Sequence, residues 1–195
     1  MSDKIALFDL DGTLAGYHKT LTRDLNKLRS PLEKPIVIDY NNMPDYIVER
    51  KRLITNQVGW WENLPKIYSG FEILEWCKEI GYRIQVCTKA PDSADNAWSE
   101  KVKWIKKNMF KQGEHRNITI TSDKGLVYGR VLVDDYPKFA EAWLKHRPRG
   151  LVIMPKTPAC KGYSHKNVII YDGKNKVEVR EALAKAFLRR KLEDY

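Results

Sequence analysis

Cysteine is scarce in this chain: Cys77, Cys87 and Cys160 are the three in 195 residues, odd in number and far apart. That argues against a disulfide framework and against a Cys-x-x-Cys metal site, and it reads as reduced, mostly buried thiols. The four histidines, His18, His115, His146 and His165, fall in no metal-ligand spacing. A long apolar run is also missing. The chain opens Met-Ser-Asp-Lys and enters a short apolar stretch broken by Asp9 and Asp11, which reads as neither a signal peptide nor a membrane span, so a cytoplasmic location is expected. No internal repeat or low-complexity tract is visible. What is present is a composition of 43% hydrophobic and 11% aromatic residues, enough for a packed interior, in a length that suits one α/β core with a modest insertion. Lys and Arg total 35 against 25 Asp and Glu, a formal charge of +10. Such a surplus suits an anionic partner, either a phosphorylated small molecule or nucleic acid, although a solvated surface explains it as well.

Short apolar runs alternate with helical periodicity along most of the sequence. Ile5 to Leu10 has strand length and stops at Asp11-Gly12-Thr13, where glycine permits a sharp change of direction. Phe71, Leu74, Cys77 and Ile80 recur at helical spacing with Gly81 as the expected C-terminal cap, and Arg83 to Cys87 reads as a buried strand ended by Thr88. Ala94 to Met109 reads as a helix with Trp98, Val102 and Ile105 on one face. Strands are expected at 118–121, 131–133, 151–154 and 168–171, with helices following Asp135 and spanning 177–192. The basic tail Arg189-Arg190-Lys191 would supply cations at the closing helix's C-terminus. This alternation predicts a mostly parallel sheet with helices on both faces, in which ligands bind beyond the carboxyl ends of the strands. Asp9, Thr88, Lys124 and Asp134 each lie at or just past a different strand end, so one site can collect all four. Residues 17–66 break the alternation with Pro31, Pro35 and Pro44, many charges and a helix around Asp45 to Asn56. They are expected to form a small helical cap, with residues 1–16 and 67–195 as the core.

Four stretches carry chemistry in order: Asp9-Leu10-Asp11-Gly12-Thr13-Leu14, Val86-Cys87-Thr88-Lys89, Lys124, and Leu132-Val133-Asp134-Asp135. Together they resemble the four motifs of the haloacid dehalogenase superfamily. The resemblance implies a Rossmannoid three-layer sandwich with the cap inserted after the first strand, and a phosphoric monoester hydrolase. In it Asp9 is the nucleophile, and Asp11 protonates the leaving oxygen and later deprotonates water. Thr88 and Lys89 hold phosphate oxygens, Lys89 through its backbone amide, and Lys124 balances the carboxylates. It also implies Mg²⁺ held by Asp9, the main-chain carbonyl of Asp11 and Asp134, with Asp135 in the hydration shell.

A fifth stretch narrows the resemblance. Gly59-Trp60-Trp61-Glu62-Asn63-Leu64-Pro65, then Tyr68-Ser69-Gly70, is similar to the segment preceding the second motif in the 5'(3')-deoxyribonucleotidases, and Thr121-Ser122-Asp123-Lys124 fits the same family. There the paired aromatics line the pocket for base and sugar, which assigns Trp60 and Trp61 to the substrate; packing of the cap is the competing explanation for both. Three positions depart from the family pattern: Ser122 where Arg is frequent, Tyr136 where Arg or Lys is frequent, and Lys89 where Ser is frequent. The expected substrate is a small nucleotide, preferably a deoxynucleoside monophosphate. Two other readings stay open: a phosphatase for nucleic-acid ends, which the charge would suit, and a phosphate-binding protein without turnover. Whether the chain forms a homodimer is open as well.

Overall fold

Ile5–Phe8 (β1) is apolar at every position and buried on both faces, the pattern of a strand in the middle of a parallel sheet. The sheet has six strands in the order β3-β2-β1-β4-β5-β6, with β2 Arg83–Thr88, β3 Ile118–Ile120, β4 Val131–Val133, β5 Leu151–Pro155 and β6 Val168–Tyr171, every pairing parallel. The order runs outward in both directions from β1 and its neighbours, so the chain leaves the carboxyl ends of β1, β2 and β4 beside one another. That is the switch point at which open α/β sheets bind ligands.

The computed structural model describes residues 4–39, 42–110 and 117–189. Arg190 and Lys191 of the basic tail, His115, and the first three residues lie outside the described residues. The chain divides into two compact units. The first comprises Met1–Leu14, Ile67–Thr88 and Asn117–Tyr195 and contains the whole sheet. Its helices are α3 Tyr68–Ile80, α5 Pro137–Lys145 and α6 Lys176–Leu188. Gly81 closes α3 in the left-handed conformation that the sequence leads one to expect. Ile5, Leu7, Cys87, Leu132, Val152 and Met154 project to one side of the sheet, where Ala140, Trp143 and Leu144 of α5 cover them. Tyr82, just after α3, donates its hydroxyl to the Leu183 carbonyl of α6 at 2.8 Å and meets Phe187 edge to face.

The second unit comprises Ala15–Lys66 and Lys89–Arg116, so the insertion after β1 is joined by a later segment. It holds α1 Tyr17–Lys27, α2 Asp45–Thr55 and α4 Asp95–Asn108. The buried face of α4 is Ala97, Glu100, Lys101, Trp104 and Ile105. Trp98, expected inside with Val102 and Ile105, is 44% exposed. Trp104 takes the interior place because its indole N–H finds the Leu64 carbonyl at 2.7 Å. Among the described residues no helix is long and apolar enough to cross a membrane.

The turn after β1 is held from below by α3. Leu14 N–H donates to the Leu10 carbonyl and Ile67 N–H to the Leu14 carbonyl, at 2.9 and 2.8 Å. Gly12 takes φ 84°, open to glycine at no steric cost. Gly70, in the first turn of α3, lies so close that an added Cβ would overlap the Thr13 carbonyl and press on Leu14. Gly70→Ala is therefore expected to destabilise by about 2 to 3 kcal/mol, the upper end for overpacking. Calorimetry should show this as a fall in Tm of roughly 4 to 12 °C. An unchanged Tm would mean that α3 does not approach the turn this closely.

Candidate active site

Asp9 follows β1 and Asp134 follows β4, and these strands are hydrogen-bonded neighbours, with Asp9 N–H donating to the Val133 carbonyl at 2.9 Å. The two carboxylates are thereby placed side by side at one sheet end. Asp135 joins them: carboxylate oxygens of Asp9, Asp134 and Asp135 all lie within 4.8 Å of one another, and all three residues are buried. Into this cluster reaches Lys124, from a 3₁₀ turn over Lys124–Leu126 that begins where the Asp123 side chain accepts from Gly125 N–H. Its ammonium lies 2.6 Å from Asp9 Oδ1 and 2.6 Å from Asp134 Oδ2, with no side-chain exposure. The second Asp134 oxygen accepts Tyr136 N–H at 3.0 Å, which fixes the carboxylate plane.

Burial would lower the Lys124 pKa, but Asp134 and Asp9 outweigh it and hold the ammonium above its ordinary range. For Asp134 burial works the other way: it raises the carboxyl, Lys124 opposes, and the like charges of Asp9 and Asp135 add to the rise, so the group is pushed up to about 7. Lys124 supports a charged Asp134 while burial and the other carboxylates resist it, and the resistance prevails because three carboxylates face one ammonium. A cluster with that excess of negative charge, built from hard oxygens only, fits a divalent cation. Cys87, behind the cluster, is driven by burial to about 12 and stays a neutral packing residue.

One consequence is a pH dependence. Folded Asp134 keeps its proton up to about pH 7, whereas the unfolded chain releases it in the ordinary carboxylate range. Across that interval the folded state binds more protons, so metal-free stability falls as pH rises. A divalent cation bound there would take the place of the proton, and the rise in Tm on adding Mg²⁺ is expected to be larger near pH 8 than near pH 5.5. Equal rises at both pH values would contradict this charge balance.

The remaining sequence-predicted residues are distributed as follows. Thr88 ends β2, two residues beyond the last pair with β1, and is buried at the same sheet end as Asp9; its carbonyl accepts Thr121 N–H at 2.9 Å. Asp11 sits half-buried in the turn after β1. Lys89 opens the second segment of the other unit, where its carbonyl accepts from the Lys101 ammonium. Trp60 and Trp61 also belong to the second unit. Trp61 is buried, stacks on Tyr17 at 5.4 Å and gives its indole N–H to the Thr55 carbonyl; half-buried Trp60 meets it edge-on at 4.9 Å and gives its own to Asp24. Two contributors escaped sequence reasoning. Thr13, quoted in the first motif without a role, directs its hydroxyl to Asp135 at 3.4 Å. Phe139, read only as a helix residue, offers its ring 4.2 Å below the Lys124 ammonium.

A central strand ending in a buried aspartate, a second acidic strand end beside it and a lysine shared between them, on a parallel sheet with a helical insertion after the first strand, define a hydrolase of the haloacid dehalogenase superfamily. The fold is also that of a superfamily hydrolase from Deinococcus radiodurans determined with phosphate and sodium bound: TM-score 0.58 at 14% identity, covering 94% of this chain and 96% of that one. A haloacid dehalogenase-like hydrolase from Xanthomonas campestris aligns with TM-score 0.55 at 14% identity, over 94% and 97% of the two chains. Within the superfamily, residues 3–165 match the 5' nucleotidase, deoxy (pyrimidine), cytosolic type C protein family (NT5C), and the chain belongs to that family. It is similar to provisionally named 5'(3')-deoxyribonucleotidases of Bordetella bronchiseptica and Bordetella pertussis, each 27% identical over 161 residues, 79% of this chain and 84% of theirs.

Proposed function

We propose that the protein is a magnesium-dependent phosphatase that releases phosphate from deoxynucleoside monophosphates through a phosphoryl group carried on Asp9. The observation that carries this reading is the buried Lys124 ammonium held 2.6 Å from both Asp9 and Asp134, in a chain of the deoxynucleotidase family. Asp9 attacks phosphorus in line as the ester P–O bond breaks, and Asp11 gives its proton to the departing oxygen. Asp11, now ionised, takes a proton from water, whose oxygen attacks the aspartyl-phosphate and frees Asp9. Thr88, the Lys89 amide and Lys124 receive the phosphate oxygens, and Trp60 and Trp61 recognise base and sugar. Asp9, the Asp11 carbonyl and Asp134, with Asp135 beside them, would hold Mg²⁺, which when bound would supply positive charge to offset that of the phosphate.

The test is phosphate release from deoxy- and ribonucleoside monophosphates, sugar phosphates and 5'- or 3'-phosphorylated oligonucleotides, each with Mg²⁺ and with chelator. Magnesium-dependent release favouring deoxynucleoside monophosphates is expected. The formal charge of +10 favours one second reading, action on nucleic-acid ends. Preference for oligonucleotides, with affinity falling steeply as salt rises, would establish that reading in place of the first. No release from any substrate would overturn both.

A further inference from the structure

The segment carrying the aromatic pair has turn hydrogen bonds of its own, Trp60 N–H to the Gln57 carbonyl and Asn63 N–H to the Gly59 carbonyl among them, and Trp60 also reaches Asp24. A further set joins it to one stripe of α4, at positions four residues apart. Asn96 donates to the Thr55 and Gln57 carbonyls at 3.3 and 3.2 Å, and Trp104 donates to the Leu64 carbonyl at 2.7 Å. Between them Glu100, 3% exposed, accepts Gly59 N–H on one carboxylate oxygen at 2.7 Å and Trp61 N–H on the other at 3.1 Å. The next residue, Lys101, is also buried and places its ammonium 4.8 Å from the Trp61 ring while donating to the Lys89 carbonyl.

A carboxylate is costly to bury, and a helix–loop contact needing only packing would be served by an apolar side chain. What a carboxylate adds is geometry. Two acceptor oxygens on one rigid plane fix two N–H groups that flank Trp60, and so fix the backbone from which both indoles project. Gly59, at φ 86°, gives the turn that presents its N–H to Glu100.

We infer that Glu100 is a positioning residue for substrate selection, holding Gly59–Trp61 so that Trp60, backed by the buried Trp61, meets the nucleoside part of the substrate in one fixed arrangement. The inference rests on the reading of the aromatic pair proposed above. Glu100 touches neither phosphate nor metal in this scheme and acts through the loop.

Glu100→Gln keeps the size but replaces one acceptor by an NH₂ group, which faces an N–H it cannot accept. In the full-length protein with Mg²⁺, this variant is expected to raise KM for deoxythymidine monophosphate about tenfold, with kcat within about threefold of wild type. Turnover of p-nitrophenyl phosphate, which lacks a nucleoside, should not change. Trp60→Ala should raise the nucleotide KM as well, and Glu100→Gln should add little in that background, since both act through one loop. Equal losses on both substrates would show Glu100 to be merely structural and overturn the inference. If Trp60→Ala raises KM and Glu100→Gln does not, the inference fails alone; if Trp60→Ala leaves KM unchanged, the aromatic assignment fails and takes it down too. Should Glu100→Gln not fold, Glu100→Asp decides. Its shorter carboxylate is expected to raise KM about threefold, and a wild-type KM would overturn the inference.

Discussion

Asp9→Asn is expected to cut phosphate release roughly a thousandfold or more while leaving the fold intact. The amide is close in shape to the carboxylate but uncharged, and it is a far poorer nucleophile toward phosphorus. Lys124 still has Asp134 as a partner 2.6 Å away, so the substitution strands no buried cation. It also removes one of three carboxylates packed within 4.8 Å, and the like-charge repulsion among them falls. Metal-free Tm should therefore match or exceed that of wild type even as activity disappears. The pairing of the two measurements matters, because a loss of both would indicate misfolding. Turnover above about a tenth of wild type would exclude Asp9 as the attacking group.

Lys124→Met should have the largest effect on stability. Methionine fills similar space against Phe139 but leaves Asp9 and Asp134 buried without their cation. Removing one partner of a buried ion pair costs about 3 to 5 kcal/mol. For a chain of this length that lowers Tm by roughly 6 to 20 °C. The loss should be partly recovered by Mg²⁺, which can neutralise the same carboxylates, and the recovery should exceed any Mg²⁺ effect on Asp9→Asn, which has one ligand fewer. Phosphate release should fall at least about a hundredfold, as when a preorganised charge is removed from the reacting group. A Tm within a degree or two of wild type would mean that Lys124 does not sit buried between the aspartates.

The grouping of Asp9, Thr88 and Asp134 in the candidate site was legible because these residues interrupt an obvious pattern. Asp9, Thr88 and Asp134 are polar residues at the ends of apolar strands, and parallel sheets collect such ends at one edge. Other parts followed rules that a linear reading inverts. Glu100 and Lys101 look like the solvated side of α4, yet both are buried because their charges meet backbone groups of distant segments. Trp98 looks like core and is exposed for the complementary reason: the interior place was already filled by Trp104, whose N–H had a carbonyl to meet. Helix α1 was not foreseen, since Gly16 provides no side-chain cap and the helix is mostly polar, its buried stripe being Tyr17, Thr20, Leu21 and Leu25. Thr13 and Phe139 gave no signal of their own, because their contributions depend on residues far away in sequence.

The two-segment construction of the second unit constrains how the proposed recognition element can be inherited. In many enzymes a recognition element is one continuous insertion and can be exchanged between relatives as a cassette. Here the aromatic segment and the helix that braces it enter the chain on either side of β2, with the Asn96, Glu100 and Trp104 stripe matched to backbone groups of 55–64. A chimaera that transplants residues 15–66 alone brings new indoles onto an old brace. On the proposed assignment of Trp60 and Trp61, a change of specificity is thus a problem of two loci changing together, and a successful graft has to carry 89–116 with it.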